Sequence, residues 1–348
     1  MATTSLIELF QGLNTGDGSN ETRPQAICLP FNPGSDFRIR SEGLRKVDRY
    51  LFRVFDKNSD GSTDNIWAKS RDVNHPEPCA NSYKDIFARD DRREAAQALR
   101  RHLQWDGGPH EEDNFVSWSS SLLVVLQYAH FRARHFPGND LNSTSGMSLC
   151  VVDTTLLPPM SFMRDMDLLS AFSQYDDTFS EKTLPNLQSL RRKKHTLYSG
   201  SYYFGEYLSQ GALRIEGCCS IRLMQDIIDA GLYKLREELK SAATGAEMWA
   251  NKVIMLREKF YTSRPWPVDD NAVAAALHIG NLYGSTWVLP IALAFLALQP
   301  RFARDDAMIE KLRCLYCKGE PISILSPTRA EADIVPKVLN YFNSHLKR

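Results

Sequence analysis

"NFVSWSSSLLVVLQYA", residues 114–129, changes character halfway along. Its first half reads as a short strand, and successive strand side chains point to opposite faces, so Ser117 and Ser119 share one face. Its second half is a continuous apolar run that predicts a helix entering directly behind the strand. The neighbouring stretches carry the same mixture. Upstream, "RYLFRVFD" (49–56) is β-branched and aromatic, a strand, whereas "DDRREAAQALRRHLQW" (90–105) repeats Ala95, Leu99 and Leu103 at helical spacing. Downstream, "MSLCVVDTT" (147–155) is a strongly apolar strand, and "YYFGEYLSQGALRIEG" (202–217) alternates and breaks at glycines, like a loop feeding a strand. From about Met224 onward the pattern turns helical, with Pro265, Pro267, Pro290 and Pro300 as punctuation. The fold class expected is α+β: a tail over residues 1–40, a mixed unit over 41–225, and a mostly helical unit over 226–348.

Composition narrows the function classes. The chain has 348 residues, 43% of them apolar and 24% charged, the balance of an ordinary globular protein. Its 42 basic and 42 acidic side chains cancel, so no global field favours nucleic acid or an anionic membrane. The sharpest basic run, "RRKKH" at 191–195, lacks interleaved aromatics and reads as a solvated loop. The apolar run from Trp287 to Leu298 is too short for a membrane span, which needs about 20 residues, and reads as a buried core helix. "MATTSLIELFQGL" at the start has no basic leader region. Seven cysteines, an odd number, do not form a secreted disulfide framework, and Cys314-Leu-Tyr-Cys317 lacks the second pair a structural zinc would want. His130 and His135 are five apart, not the i, i+4 of a helical metal pair, and His278 reads as a core histidine. The expectations are an intracellular protein with no metal, no membrane and no nucleic-acid partner.

"FDKNSDGSTDNIW" (55–67) imitates the first half of a calcium loop, but its twelfth position counted from Asp56 is Trp67, not a carboxylate. The Asp, Asn, Ser and Gly residues are turn formers that let the chain leave a strand. Arg53, just upstream, sits between Phe52 and Val54, and alternation places it on the opposite face. A guanidinium within an apolar strand needs a partner.

Three pieces then stand in one order: Arg53 on a first strand, Ser117-x-Ser119 at a strand-to-helix junction, and Glu206 in a Gly-flanked loop before a late strand. That order resembles the arginine–serine–glutamate branch of the ADP-ribosyltransferase superfamily. The "FRV", "F-x-S-x-S…YA" and "GEYL…G" segments, between Asp48 and Leu223, also resemble an uncharacterised domain family common in fungal proteins. The resemblance implies a split mixed or antiparallel β core with flanking helices, and NAD as the substrate, with a macromolecule as possible acceptor. It implies that Arg53 holds the pyrophosphate or ribose end, that Ser117 and Ser119 brace the nicotinamide pocket, and that Glu206 is the catalytic carboxylate. Tyr202 or Tyr203 is a candidate to stack on nicotinamide. Relatives that modify arginine carry Glu two places before the catalytic Glu; Phe204 stands there, which leaves the acceptor open. The same resemblance admits a catalytically silent domain kept as a protein-interaction module.

Overall fold

The computed structural model describes residues 28–37, 47–106, 112–135, 144–176, 182–193, 202–242, 249–262, 270–298 and 312. It is an α+β fold whose helices gather towards the C-terminus. Among the described residues nine strands run in chain order: β1 (Tyr50–Phe55), β2 (Ser62–Thr63), β3 (Trp67–Lys69), β4 (Phe115–Ser119), β5 (Ser148–Asp153), β6 (Met163–Arg164), β7 (Glu206–Gln210), β8 (Ala212–Arg214) and β9 (Cys219–Leu223). Six form one sheet in the order β6-β7-β4-β1-β5-β9, and β2-β3-β8 form a second. Every pairing is antiparallel. The helices of eight residues or more are α1 (Arg92–Gln104), α2 (Leu122–His135), α3 (Asp165–Phe172), α4 (Leu184–Arg192), α5 (Trp249–Thr262), α6 (Asp270–Leu282) and α7 (Val288–Leu296). None is long and apolar enough, among the described residues, to cross a membrane.

Register decides where the site lies. β1 pairs with β5 over six residues and β4 with β7 over five, but β1 meets β4 only at Phe52↔Ser119. Past that single pair the central seam of the sheet is unladdered, beside Arg53 and Ser117. Directly paired residues share a face, so Phe52, Ser119 and Glu206 point the same way, and Phe115, Ser117 and Leu208 join them by alternation. On that face Phe52 and Val54 belong to an apolar cluster under α2, α6 and α7, while Phe115 and Leu208 belong to another under α1 and α3. Ser117, Ser119 and Glu206 lie between the two. The opposite face carries Leu51, Val116, Trp118, Val152 and Tyr207 against the small sheet.

Among the described residues, the helical region shares one core with the sheet. Leu277, Ile279, Ile291, Phe295 and Leu296 are buried in one cluster with Phe52, Val54, Leu126, Leu149 and Val151. Each such side chain contributes about 1.5–3 kcal/mol when fully buried. Ser220 of β9 adds a hydrogen bond to the Tyr283 carbonyl (2.9 Å), and Arg222 donates to the carbonyl of Leu282. The boundary drawn at 225 therefore falls within a shared core. Residues 224–242 form short helical turns, broken at Gly231, whose φ of 120° no other residue adopts easily and whose missing side chain admits Ala275. Between α6 and α7 the backbones nearly touch, since a Cβ on Gly280 would lie 2.4 Å from the Val288 carbonyl oxygen. Gly280→Ala is expected to destabilise the fold by about 1–3 kcal/mol, read as a lower midpoint in chemical denaturation.

The end of the segment expected to be a tail is packed. Phe31 and Phe37 are buried against Phe87 and Phe172, and Leu29 bridges Gln210. Residues 1–27 lie outside the described residues, as do Cys314 and Cys317. The loop after β1 is a turn: the Ser59 amide donates to the Asp56 carbonyl (3.1 Å) and the Asn58 amide to the Asp56 carboxylate (3.0 Å). The same carboxylate takes a two-pronged contact from Arg132 of α2, at 2.7 and 3.2 Å, with side-chain exposures of 0% and 8%. Because removing one member of a buried pair strands the other, Asp56→Asn is expected to cost about 3–5 kcal/mol. A thermal melt checks this.

Candidate functional site

Arg53 projects from the face opposite Phe52 and Val54, as alternation requires, and turns into the unladdered seam. Its Nη1 donates to the Ser117 carbonyl (2.9 Å) and its Nε to Thr63 Oγ1 (3.2 Å), where a backbone ladder bond would otherwise run. Burial lowers its pKa from the ordinary arginine value. Its Nη2 makes no hydrogen bond among the described residues.

Ser117 and Glu206 are diagonal neighbours across β4 and β7, within reach of a glutamate side chain. Ser117 Oγ donates to Glu206 Oε1 at 3.0 Å. The other oxygen, Oε2, accepts from Arg191 Nη2 at 2.6 Å. Arg191 also faces Asp165 Oδ2 at 3.3 Å; Asp165, at the start of α3, is fully buried. Burial pushes the Asp165 carboxyl up to about 7, the Arg191 charge opposing and that of Glu206 reinforcing the shift.

Ser117 has a second neighbour that the sequence did not suggest. His102 Nε2 lies 2.8 Å from Ser117 Oγ, and His102 Nδ1 lies 2.8 and 2.9 Å from the two carboxylate oxygens of Asp113. Local structure explains the placement. Asp91 caps α1 by accepting from the amides of Arg93 and Glu94, and the left-handed Trp105 ends it, so His102 falls in the last turn. Three residues beyond Leu99, it joins the buried stripe of α1 as a polar member. Asp113, Phe115 and Ser117 alternate onto one side of the chain entering β4. A His on an otherwise apolar stripe was the available signal.

Arg191 was hidden in the run "RRKKH". Thr183 caps α4 through the Asn186 amide, and Arg191, seven residues after buried Leu184, turns inward while Arg192 and Lys193 stay exposed. The run was expected to be a solvated loop, but Arg191 and Arg192 end a helix and only Arg192 and Lys193 are exposed; residues 194–195 lie outside the described residues. Phe204 fixes Arg191 further: the guanidinium carbons of Arg191 and Arg257 lie 5.6 and 5.7 Å from its ring centre. Phe204 is buried with Val124 and Val253, as a core residue beside the carboxylate.

The remaining candidates separate. Ser119 Oγ donates to the Phe204 carbonyl (2.7 Å) and accepts from the Ser121 amide (3.0 Å), so it braces the loop that ends at Glu206. Tyr202 donates to Asn251 Oδ1 of α5 (3.1 Å). The Tyr203 phenol is raised well above its usual range by burial and by the charge of Asp165. Asp72, Cys79 and Glu112 bring ligand atoms within 4.8 Å of one another, but Asn81 donates to Glu112 (3.0 Å) and the Asp113 amide to Asp72 (2.7 Å). Those bonds use Asp72 Oδ1 and Glu112 Oε2, while Asp72 Oδ2 is buried with no hydrogen-bond partner among the described residues.

One continuous polar chain thus runs Asp113–His102–Ser117–Glu206–Arg191–Asp165, with Arg53 beside it. A carboxylate held by a hydroxyl and a guanidinium can stabilise a positive charge that develops next to it, and a half-used arginine fork can take a phosphate oxygen. No curated protein and no solved structure matches the chain. Residues 46–216, slightly less than half of it, match the model of a family described as a domain of unknown function (DUF7587); the match takes in Arg53, His102, Asp113, Ser117, Asp165, Arg191 and Glu206, and stops before β9 and the helices that share its core.

Proposed function

We propose that this site binds NAD and cleaves its nicotinamide–ribose bond, passing ADP-ribose to an acceptor or to water, as the resemblance to the arginine–serine–glutamate ADP-ribosyltransferases implies. One observation carries the reading: residues separated by 64 and 89 positions along the chain meet, Arg53 Nη1 donating to the Ser117 main-chain carbonyl and Ser117 Oγ to Glu206. In the proposed reaction the bonding pair leaves with nicotinamide, quenching its pyridinium charge, and the ribose carbon turns cationic. Glu206 faces that carbon and stabilises its charge, as carboxylates do in glycoside cleavage. Ser117 orients the carboxylate without adding charge, and Arg53 holds a phosphate oxygen. Water or the acceptor then adds to the sugar and releases one proton. Tyr203 is the aromatic candidate to face nicotinamide.

Calorimetric titration with NAD tests the binding half. Saturable binding is expected, and Arg53→Ala should weaken it about 10–100-fold through loss of a charged hydrogen bond. A wild-type chain that takes up no NAD at millimolar concentration would overturn the reading.

A second reading, a catalytically silent domain serving protein interaction, draws on the Arg191–Glu206 contact. A guanidinium 2.6 Å from the carboxylate cancels the charge the chemistry needs. The two readings part on Arg191→Gln. Nicotinamide release should rise if Arg191 withdraws on NAD binding, and should be absent from both proteins if the domain is silent.

A further inference from the structure

Ser117 Oγ has one hydrogen and two close polar neighbours. A carboxylate paired with arginine is ionised and only accepts, so the hydroxyl hydrogen goes to Glu206 Oε1. His102 Nε2, 2.8 Å from the same oxygen, must then donate to it. On the far side of the ring, Nδ1 faces both oxygens of Asp113, which also only accept. Both ring nitrogens therefore carry hydrogen in the one arrangement that satisfies every contact. We propose that His102 is a positioning residue that works as an imidazolium: clamped by Asp113, it donates to Ser117 and so directs the serine hydroxyl onto Glu206. When His102 loses its Nε2 proton, that nitrogen becomes an acceptor, the Ser117 hydroxyl turns towards it, and Glu206 Oε1 loses the serine donor while Oε2 keeps Arg191.

The charges around the ring favour this state. Burial draws the His102 pKa down, but Asp113, by charge and hydrogen bond, and Glu206 more than offset it, against Arg53; the net direction is up from 6.5. For Asp113, burial raises the carboxyl and His102, the Phe115 amide and Arg71 outweigh it, so it lies below its ordinary value. The other near groups are Asp72, whose carboxylate accepts the Asp113 amide, and the Phe115 ring, 5.4 Å from the imidazole. A folded-state pKa above the unfolded one means that this contribution to stability is full below pH 6.5 and fades as pH rises through the higher folded value.

The catalytic consequence rests on the NAD reading, but the assignment of His102 does not. Nitrogen NMR of the imidazoles in the full chain, assigned by the signal missing from His102→Gln, tests it directly. At pH 6 His102 should show two protonated nitrogens, with a titration midpoint above 6.5 that falls by at least about one unit in Asp113→Asn. Nicotinamide release in the wild type should fall about tenfold as pH passes through that midpoint, as expected for a lost hydrogen bond to a charged group. The fall should move to lower pH in Asp113→Asn. Ser117→Ala should be slower but flat over the same range, because it has no hydroxyl to redirect. A singly protonated His102 at pH 6, or an unchanged alkaline fall in Ser117→Ala, would overturn the proposal. If the imidazolium and its Asp113→Asn shift are seen while no protein releases nicotinamide, the NAD reading fails and the role of His102 in orienting Ser117 stands.

Discussion

Glu206→Gln is expected to slow nicotinamide release from NAD about 10²–10³-fold. A single well-placed electrostatic group contributes about 3–4 kcal/mol to a charged transition state, and the amide keeps the shape while removing the charge. The carbonyl of glutamine can still accept from Ser117, so the strand register and the Ser117 contact are retained. What changes is the other oxygen's place, where an amide nitrogen would face Arg191 as donor to donor. A thermal melt run alongside therefore separates a lost charge from a disturbed fold. If the variant folds and turns over NAD as fast as wild type, Glu206 has no part in the chemistry.

Removing everything after residue 225 should abolish cooperative folding of the remainder. The family match ends at residue 216, but the core it belongs to continues into the later helices. Phe52, Val54, Leu149 and Val151 line the sheet face that α6 and α7 cover, and Leu122 and Leu126 of α2 share that cluster. Truncation would bare this face to water, at about 1.5–3 kcal/mol for each large side chain. Whole domains are stable by only about 5–15 kcal/mol. The fragment is expected to aggregate or to melt without a transition. A soluble fragment with a sharp melt and intact near-ultraviolet dichroism would show that the helices are dispensable.

Alternation in β1 and β4 and the helical spacing in α1 were legible because local periodicity reports which face is buried. They give the α+β class and put Ser117 and Ser119 on one face. What covers that face was not legible. An apolar helical stripe looks the same whether it packs on another helix or on a sheet, so α6 and α7 read as a separate unit although they complete the core over β1 and β5. The site divides in the same way. Arg53, Ser117 and Glu206 were named as candidates from the order of three short, individually common segments. His102 and Asp113 reach Ser117 only because α1 folds back over β4, and Arg191 only because α4 presents one residue of a basic run inward. Long-range closure of that kind leaves a faint trace, a polar residue on an apolar stripe.

The most direct test of the proposed function is a crystal structure of the full chain soaked with NAD. The nicotinamide-bearing ribose should lie within hydrogen-bond distance of the Glu206 carboxylate, a phosphate oxygen should meet Arg53, and the Arg191 fork should have swung away from Glu206. An empty site at saturating NAD, or a dinucleotide bound elsewhere with the Arg191–Glu206 contact intact, would contradict it.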